Sequence, residues 1–422
     1  MTHCSDRTKR RITTGCALLM APLTAAGLAA CSSGGGKDPL AGSPYQAGDG
    51  VAVNAVGSGG TLDPDKPLEV TAKDGGDALT DVLATDVAGR ALRGELSADG
   101  QRWRSTSPLA AGVRYTVSIS TENGEGAPGR RVLHFETKPA GKKLTVAFGP
   151  KQGRYGVGQP ITAELSHRVK SPAQRDLVER ALKVRTKPWT EGAWHWVDGK
   201  ELHYRPRDYW PAHATVRVHS ALEGLKVRKG LYGGSSKPLS MSTGDRVEAV
   251  ADAGSLEMKF KKNGKVVKSF PITTGKSGFE TRNGIKVVLG RESFVRMTSG
   301  SIGIAAGSSD SYDLPVHWAT RLTNSGEYVH GAPWSTGDQG VSNVSHGCTG
   351  MSTEDARWFF DNVRQGDLVE HVNTAGEDMA PFGNGFGDWN MEWKDWVKGS
   401  AVQNEAQQGG AQGGTARLRP QV

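Results

Sequence analysis

Apolar and polar positions alternate in short runs between residues 51 and 139, as in "VAVNAV", "PLEVTA", "RWRSTSPLAAGVRYTVSI" and "RVLHFETK", with Gly, Pro, Asp and Asn between the runs. A period of two puts every second side chain on one face, and regularly spaced turn signals predict an all-β sandwich over 51–140. Residues 142–242 repeat the plan in "KLTVAF", "QPITAELS", "KVRTKPW", "WHWVDGKELHYRP" and "ATVRVHSAL". Both blocks pass from alternating aromatics through a proline turn into a closing strand, so a second sandwich is predicted in tandem over 141–245. Trp189, Trp194, Trp196, Tyr204 and Trp210 are assigned to its core rather than to a saccharide-binding platform.

The texture changes near residue 246. In "SLEMKFKKNGKVVKSFPITTGK" two strands flank Asn263-Gly264, a pair suited to the positive backbone angles of a tight hairpin. Strands follow at "GIKVVLG" and "ESFVRMT". In "STEDARWFFDNVRQGD" Ser352 is placed to cap a helix with Asp355 three residues on, Phe359 and Val363 share a face, and Gly366 stops it. This β-rich unit is bounded at 246–373. Over 374–398, Trp389, Trp393 and Trp396 fall at helical spacing and predict a packing face. Residues 399–422 have little to bury and read as a disordered tail. The chain is therefore expected to be mainly β: two tandem immunoglobulin-like sandwiches, without paired cysteines and similar to such domains of bacterial surface proteins, then a β-rich domain with a few helices.

Residues 1–30 read as an export signal, with basic "RTKRR" at 7–11 and the apolar run "ALLMAPLTAAGLAA" at 17–30. A single-span anchor is the alternative, opposed by the shortness of the run and by Pro22. The junction "LAAC" at 28–31 resembles a bacterial lipoprotein lipobox. That likeness implies cleavage before Cys31 and attachment of diacylglycerol to its sulfur, and two acyl chains give stable anchoring at about 0.8 kcal/mol per buried methylene. Cys31 and the Gly/Ser/Pro-rich residues to 50 then form a tether on the order of 25 Å in coil dimension. Loss of Arg7, Lys9, Arg10, Arg11 and Asp6 lowers the formal charge from +8 to +5. No basic block with interleaved aromatics occurs, which argues against nucleic acid as a partner.

Of the four cysteines, Cys4 and Cys16 leave with the signal and Cys31 becomes a thioether, so Cys348 is the one free thiol expected in the mature chain. In an oxidising compartment such a residue is a reactive thiol, half of an intermolecular pair, or a buried inert side chain. Its surroundings favour the first. His346 and His330 are candidate partners, and the glycines flanking "CT" allow backbone N–H groups to approach a substrate oxygen. The predicted helix begins just after, so its positive end is expected to favour thiolate and a low pKa.

The stretch "HGAPWSTGDQGVSNVSHGCTGMS" resembles the L,D-transpeptidase signature of a histidine followed at a distance by Ser-His-Gly-Cys. The likeness runs from about 255 to 398, and the two upstream sandwiches fit the multidomain, lipid-anchored members of that family. The resemblance implies Cys348 as nucleophile, His330 as its base, and the Gly331 carbonyl orienting the imidazole. It further implies that His346 supports the site, that the amides of Gly347 and Cys348 form the oxyanion hole, and that Tyr312, Trp334, Ser345, Met297 and Gly350 contact substrate. The family usually carries Asn or Arg where this chain has Gly350, which removes a polar side chain from the substrate wall.

The implied reaction is acyl transfer on peptidoglycan stem peptides. Cys348 attacks a donor tetrapeptide, D-alanine leaves, and the amine of an acceptor diaminopimelate resolves the thioester into a 3→3 cross-link. No metal or diffusible cofactor is needed. Competing readings are a zinc site on His330, His346 and Cys348, a non-catalytic wall-binding lipoprotein, and an enzyme whose acceptor is water or a wall protein. The expected location is extracytoplasmic, anchored to the cell membrane and facing the wall.

Overall fold

The computed structural model describes residues 43–402 except 49, 56–59, 74–76 and 306. The signal segment, Cys31 and residues from 403 lie outside the described residues. Two expected boundaries shift: Tyr45–Gln46, assigned to the tether, pairs with Gly129 and Arg130 as an edge strand, and Ser400, assigned to the disordered tail, is buried against Glu179. What is described is mainly β, with few helices.

The first β unit packs one sheet, built around the antiparallel strands Ala78–Asp86, Arg114–Glu122 and Pro128–Thr137, on a second containing Glu69–Ala72 and Arg102–Ser105. Alternation in sequence becomes alternation in burial: Tyr115, Val117, Ile119 and Thr121 point inward from one strand. They meet Leu68, Val70, Trp103 and Phe135 in a single core.

The second unit stacks the sheet Val146–Gly149, Ile161–Leu165, Glu201–Pro206 and Gly192–Trp196 on Gly153–Tyr155, Leu239–Thr243, Thr215–Ser220 and Leu182–Lys187. Trp194, Trp196, Tyr204 and Trp210 are buried in its core, as the pattern predicts. Trp189 is not. It lies in the turn between Leu182–Lys187 and Gly192–Trp196, outside both sheets, and is 81% exposed. The sequence reading also missed the helix Pro172–Ala181, whose start is signalled by Ser171 accepting from the Gln174 N–H and by proline in the first turn.

In the third unit one sheet runs Lys265–Pro271, Glu257–Lys262, Val247–Asp252, Leu368–Val372, Gly284–Val287. The other runs Gly290–Thr298, Asp313–Arg321, Tyr328–Gly331, Thr349–Met351. The hairpin turns at Asn263 and Gly264, with φ of 50° and 81°. The helix Thr353–Asn362 begins where expected, Ser352 Oγ accepting from the Asp355 N–H at 3.1 Å. Its Phe359 is fully buried against Phe260 and Phe270. Burying such a ring contributes about 2–3 kcal/mol.

The tryptophan spacing near the C-terminus does not make one helix. Met391 and Glu392 are extended, so the segment breaks into a 3-10 turn Asp388–Asn390, a short helix Trp393–Trp396 and another 3-10 turn Val397–Gly399. The three indoles still share a partner: the Arg205 guanidinium lies 4.9, 5.5 and 4.6 Å from the rings of Trp389, Trp393 and Trp396. Trp396 Nε1–H donates to Ala193 O at 3.0 Å and Trp389 Nε1–H to Gly158 O at 2.8 Å. The segment thus clamps the second unit to the third. Alongside it, the Gly156 N–H donates to Gln365 O at 2.8 Å, and a Cβ on Gly156 would lie 2.2 Å from Asp367 N, so only glycine permits the approach.

Within the clamp, His203 Nδ1 is 2.7 Å from Asp388 Oδ1 and Nε2 is 3.0 Å from Glu201 Oε1. Burial opposes the imidazolium, but hydrogen bonds to Asp388 and Glu201 outweigh it and raise the pKa from 6.5 to about 9. A raised histidine stabilises fully below pH 6.5, and that contribution, roughly 3 kcal/mol, is lost as pH rises through about 9. Thermal unfolding followed by circular dichroism should therefore show a falling midpoint over this window. Asp388→Asn should lower the midpoint at pH 6.5 and flatten the fall; an unchanged slope would contradict the assignment.

Candidate active site

Strand Tyr328–Gly331 pairs in parallel with Thr349–Met351, with His330 opposite Gly350 and Val329 opposite Thr349. Paired residues in neighbouring strands face the same side, and the period of two puts Cys348 on the side of Gly350. His330 and Cys348, eighteen positions apart in sequence, thereby open onto one cleft, which Met297, Tyr312, Trp334, Ser345, His346 and Gly350 also line. Of the residues expected at the site, only Gly331 and Gly347 do not line that cleft; Gly331 meets the His330 ring through its carbonyl. Thr273, Leu314, Val316 and Val344 add wall positions that carry no chemical signal in the sequence.

The connection through residues 332–348 is irregular, and side chains pin it. Thr273 Oγ1 donates to Ser342 O at 2.8 Å, and Asn343 Oδ1 accepts from the Thr274 N–H and hydroxyl at 2.9 and 2.8 Å. Gln339 Nε2 donates to Ala332 O at 3.0 Å. Gly350 completes the frame by exchanging both backbone bonds with Thr273 at 2.9 and 3.0 Å. A Cβ there would lie 3.0 Å from Thr273 Cγ2 and 3.1 Å from Ala332 Cβ, so a side chain at this position requires those two neighbours to give by a few tenths of an ångström.

His330 is buried, with Nδ1 2.9 Å from Gly331 O. A carbonyl only accepts, so Nδ1 carries the proton and Nε2 keeps its lone pair. Burial lowers the pKa of the ring against the pull of the Gly331 carbonyl, which keeps the imidazole neutral. Trp334, half exposed, lies across from it with ring centres 6.0 Å apart.

Cys348 is half-buried and its thiol points at Gly326 O, 3.5 Å away. Burial pushes its pKa up to about 11; the Tyr328 N–H opposes the rise, Glu327 adds to it and Lys286 offsets it. The low thiol pKa expected from the following helix is therefore overturned. Desolvation outweighs the macrodipole, whose influence is confined to the first turn.

His346 has a different setting. Its Nε2 is 3.5 Å from Asp310 Oδ1, which also holds Lys276 Nζ at 2.6 Å, and its ring packs against Phe279 and Tyr312 with centres 4.7 and 5.1 Å apart. Ser345 Oγ accepts from the Gly347 N–H at 3.1 Å and donates to Cys348 O at 2.6 Å, so its hydroxyl shapes the turn. Gly347, at φ of 111°, is where that turn needs a residue without a side chain.

A second, more polar cleft meets the first at Tyr312, His346 and Cys348, bordered by Phe279, Glu280, Arg282, Glu327 and Glu377. Glu327 and Lys286 act on the thiol through their charges and His371 bonds Thr349 beside it, and the sequence reading selected none of the three. The signal for Lys286 was present as a lone cation inside the apolar run "GIKVVLG". No cluster of His, Cys, Asp and Glu with metal-site geometry occurs among the described residues.

Comparison with known proteins agrees with this architecture. A family described as Bacterial Ig domain matches residues 60–226, across parts of both N-terminal β units, and one described as L,D-transpeptidase catalytic domain matches residues 247–370. L,D-transpeptidase 2 of Mycobacterium tuberculosis (strain CDC 1551 / Oshkosh) is 36% identical over 395 residues, covering 91% of this chain and 94% of that protein. L,D-transpeptidase 5 of Mycobacterium tuberculosis (strain ATCC 25618 / H37Rv) is 32% identical over 347 residues, covering 80% of this chain and 74% of that protein. Among solved structures, LD transpeptidase LdtMt1 in complex with imipenem shares 35% identity and a TM-score of 0.47, covering 54% of this chain and 99% of that one. Because the likeness to one relative runs unbroken through the Ig-type region and the cysteine-bearing domain, this chain belongs to the L,D-transpeptidase family.

Proposed function

We propose that the protein forms 3→3 cross-links in peptidoglycan through a thioester on Cys348. The observation that carries this reading is the register that sets a neutral, Nδ1-protonated His330 on the face of the only cysteine among the described residues. As Sγ attacks the carbonyl of the third residue of a donor tetrapeptide, Nε2 of His330 takes the thiol proton. It then passes the proton to the departing amine as the C–N bond breaks, releasing D-alanine. An acceptor diaminopimelate amine attacks the thioester, loses a proton to Nε2, and the proton returns to sulfur as the C–S bond breaks.

The resting pair is thus thiol and imidazole rather than thiolate and imidazolium. The amides of Gly347 and Cys348 face the developing oxyanion, and the Gly347 N–H must release Ser345 Oγ to serve. Two clefts meeting at one sulfur suit a reaction with two peptide substrates. Tyr312 stands where they meet; Met297 and Trp334 form apolar wall in the first. His346, beside Asp310, packs against Tyr312 and does not carry the thiol proton. No cofactor takes part. The protein acts outside the cytoplasm, held to the cell membrane by lipid on Cys31.

Incubation of the detergent-solubilised protein with disaccharide-tetrapeptide should give a cross-linked dimer lighter by one D-alanine per bond, read by mass. A carbapenem should add one drug mass to the peptide holding Cys348. Cys348→Ala should do neither; cross-linking that survives the substitution would refute the nucleophile, and hydrolysis without dimer would make water the acceptor.

With the thiol pKa near 11, the rate of Cys348 alkylation by iodoacetamide should climb about tenfold per pH unit from 7 to 9 without a plateau. His330→Ala should abolish carbapenem acylation, whereas His346→Ala should leave acylation measurable but slower. A plateau near neutrality would restore the ion-pair form of the mechanism.

Membrane fractionation tests the anchor. The protein should remain with membranes after high-salt washing, and Cys31→Ala should not; equal behaviour of the two would remove the lipid from the account.

A further inference from the structure

Lys286, on strand Gly284–Val287, has a side chain with no exposure to solvent. An ammonium offers three donors and no acceptor. Nζ donates to Arg282 O at 2.7 Å and to His371 Nδ1 at 3.3 Å and forms an ion pair with Glu327 Oε2 at 3.0 Å. As a Lys286 acceptor, Nδ1 of His371 is unprotonated, so Nε2–H donates to Thr349 Oγ1 at 2.8 Å. Burial, reinforced by the Lys286 charge, keeps His371 neutral.

Both ends of this chain of bonds finish beside the nucleophile. Thr349 follows Cys348 directly. Glu327 sits between Gly326, whose carbonyl accepts from the thiol, and Tyr328, whose N–H faces the sulfur. Its other carboxylate oxygen is held by the Arg282 N–H and Nη1 at 3.1 and 3.2 Å. One buried cation therefore ties the strands of the first sheet to the two backbone segments that frame Sγ.

We propose that Lys286 is a positioning residue for the cysteine chemistry: it supplies a fixed positive charge behind Cys348 and, through Glu327 and His371, holds the backbone on both sides of the sulfur. This rests on Cys348 being the nucleophile. As His330 takes the thiol proton, negative charge grows at sulfur and then at the carbonyl oxygen, and Lys286 keeps its own proton throughout. The other titratable groups around Cys348 are the Glu327 carboxylate, which opposes that charge, the neutral imidazole of His330, the imidazole of His346 in both clefts, and the phenols of Tyr312 and Tyr328, kept protonated by burial; the neutral His371 reaches the site through Thr349. Arg282 neutralises Glu327, and Asp310 faces His346 at the rim. In this set, Lys286 is the cation without solvent to weaken it.

The test is the pH dependence of Cys348 alkylation by iodoacetamide and of carbapenem acylation in the wild type, Lys286→Met, Glu327→Gln and Cys348→Ala, with folding followed by circular dichroism. Lys286→Met removes the cation at nearly constant shape and should slow alkylation about tenfold at each pH below 9, an upward displacement of about one unit. Glu327→Gln removes the opposing anion and should speed it. Opposite signs are what a charge effect requires; variants that shift in the same sense, or a folded Lys286→Met with the wild-type profile, would overturn the proposal. If Lys286→Met does not fold, Glu327→Gln decides alone, and unchanged or slower alkylation overturns it. Cross-linking that survives in Cys348→Ala removes the nucleophile reading itself, whereas an inactive Cys348→Ala beside an unshifted Lys286→Met removes only the role of the lysine.

Discussion

Parallel pairing of Tyr328–Gly331 with Thr349–Met351 demands a crossover, because a tight hairpin joins only antiparallel neighbours. Here the crossover is a loop rather than a helix, so its backbone groups need partners outside regular structure. The Thr273 hydroxyl meets Ser342 O and the Val344 N–H, the Gln339 amide meets Ala332 O, and the Thr274 carbonyl accepts from the Ser345 N–H. Cys348 is the last residue of that loop. Closing the crossover and presenting the thiol are therefore one structural event, and His330 arrives with the partner strand at no further conformational cost.

Desolvation recurs as the deciding term. It neutralises His330, raises the Cys348 thiol and depresses Lys286, while a set of carbonyls and carboxylates selects which groups stay charged. His203 shows the opposite outcome under similar burial, because two carboxylates meet its ring instead of one carbonyl. Sign and number of acceptors, more than depth, separate the buried histidines of this chain.

Local rules carried much of the fold. The hairpin at Asn263-Gly264, the cap at Ser352 and the alternation through Arg114–Glu122 depend on neighbours in sequence, and each was legible. The His330/Cys348 pair was legible through its resemblance to a known signature. What failed depended on contacts from far along the chain. Trp189 falls in phase with the exposed Lys183, Arg185 and Lys187 and leaves the sheet at a turn, and the indoles at 389, 393 and 396 obey helical spacing while serving a guanidinium nearly two hundred positions earlier. The protonation state of Cys348 was misjudged for the same reason: sequence shows the nearby helix start, not the enclosure. Lys286 was overlooked because one cation in an apolar run gains meaning only when Glu327 and His371 converge on it.

The clamp at the C-terminal end has a consequence for assembly of the molecule. Glu179, His195, His203 and Arg205 of the second unit find their partners in Asp388, Met391, Trp396, Ser400 and Ala401, the final stretch of the described chain. A chain that emerges from its N-terminal end completes the sheets of this unit early but leaves one charged and aromatic face uncovered until the whole cysteine-bearing domain has followed. Maturation of the second unit thus waits for residues 388–401, which follow the whole domain that carries Cys348.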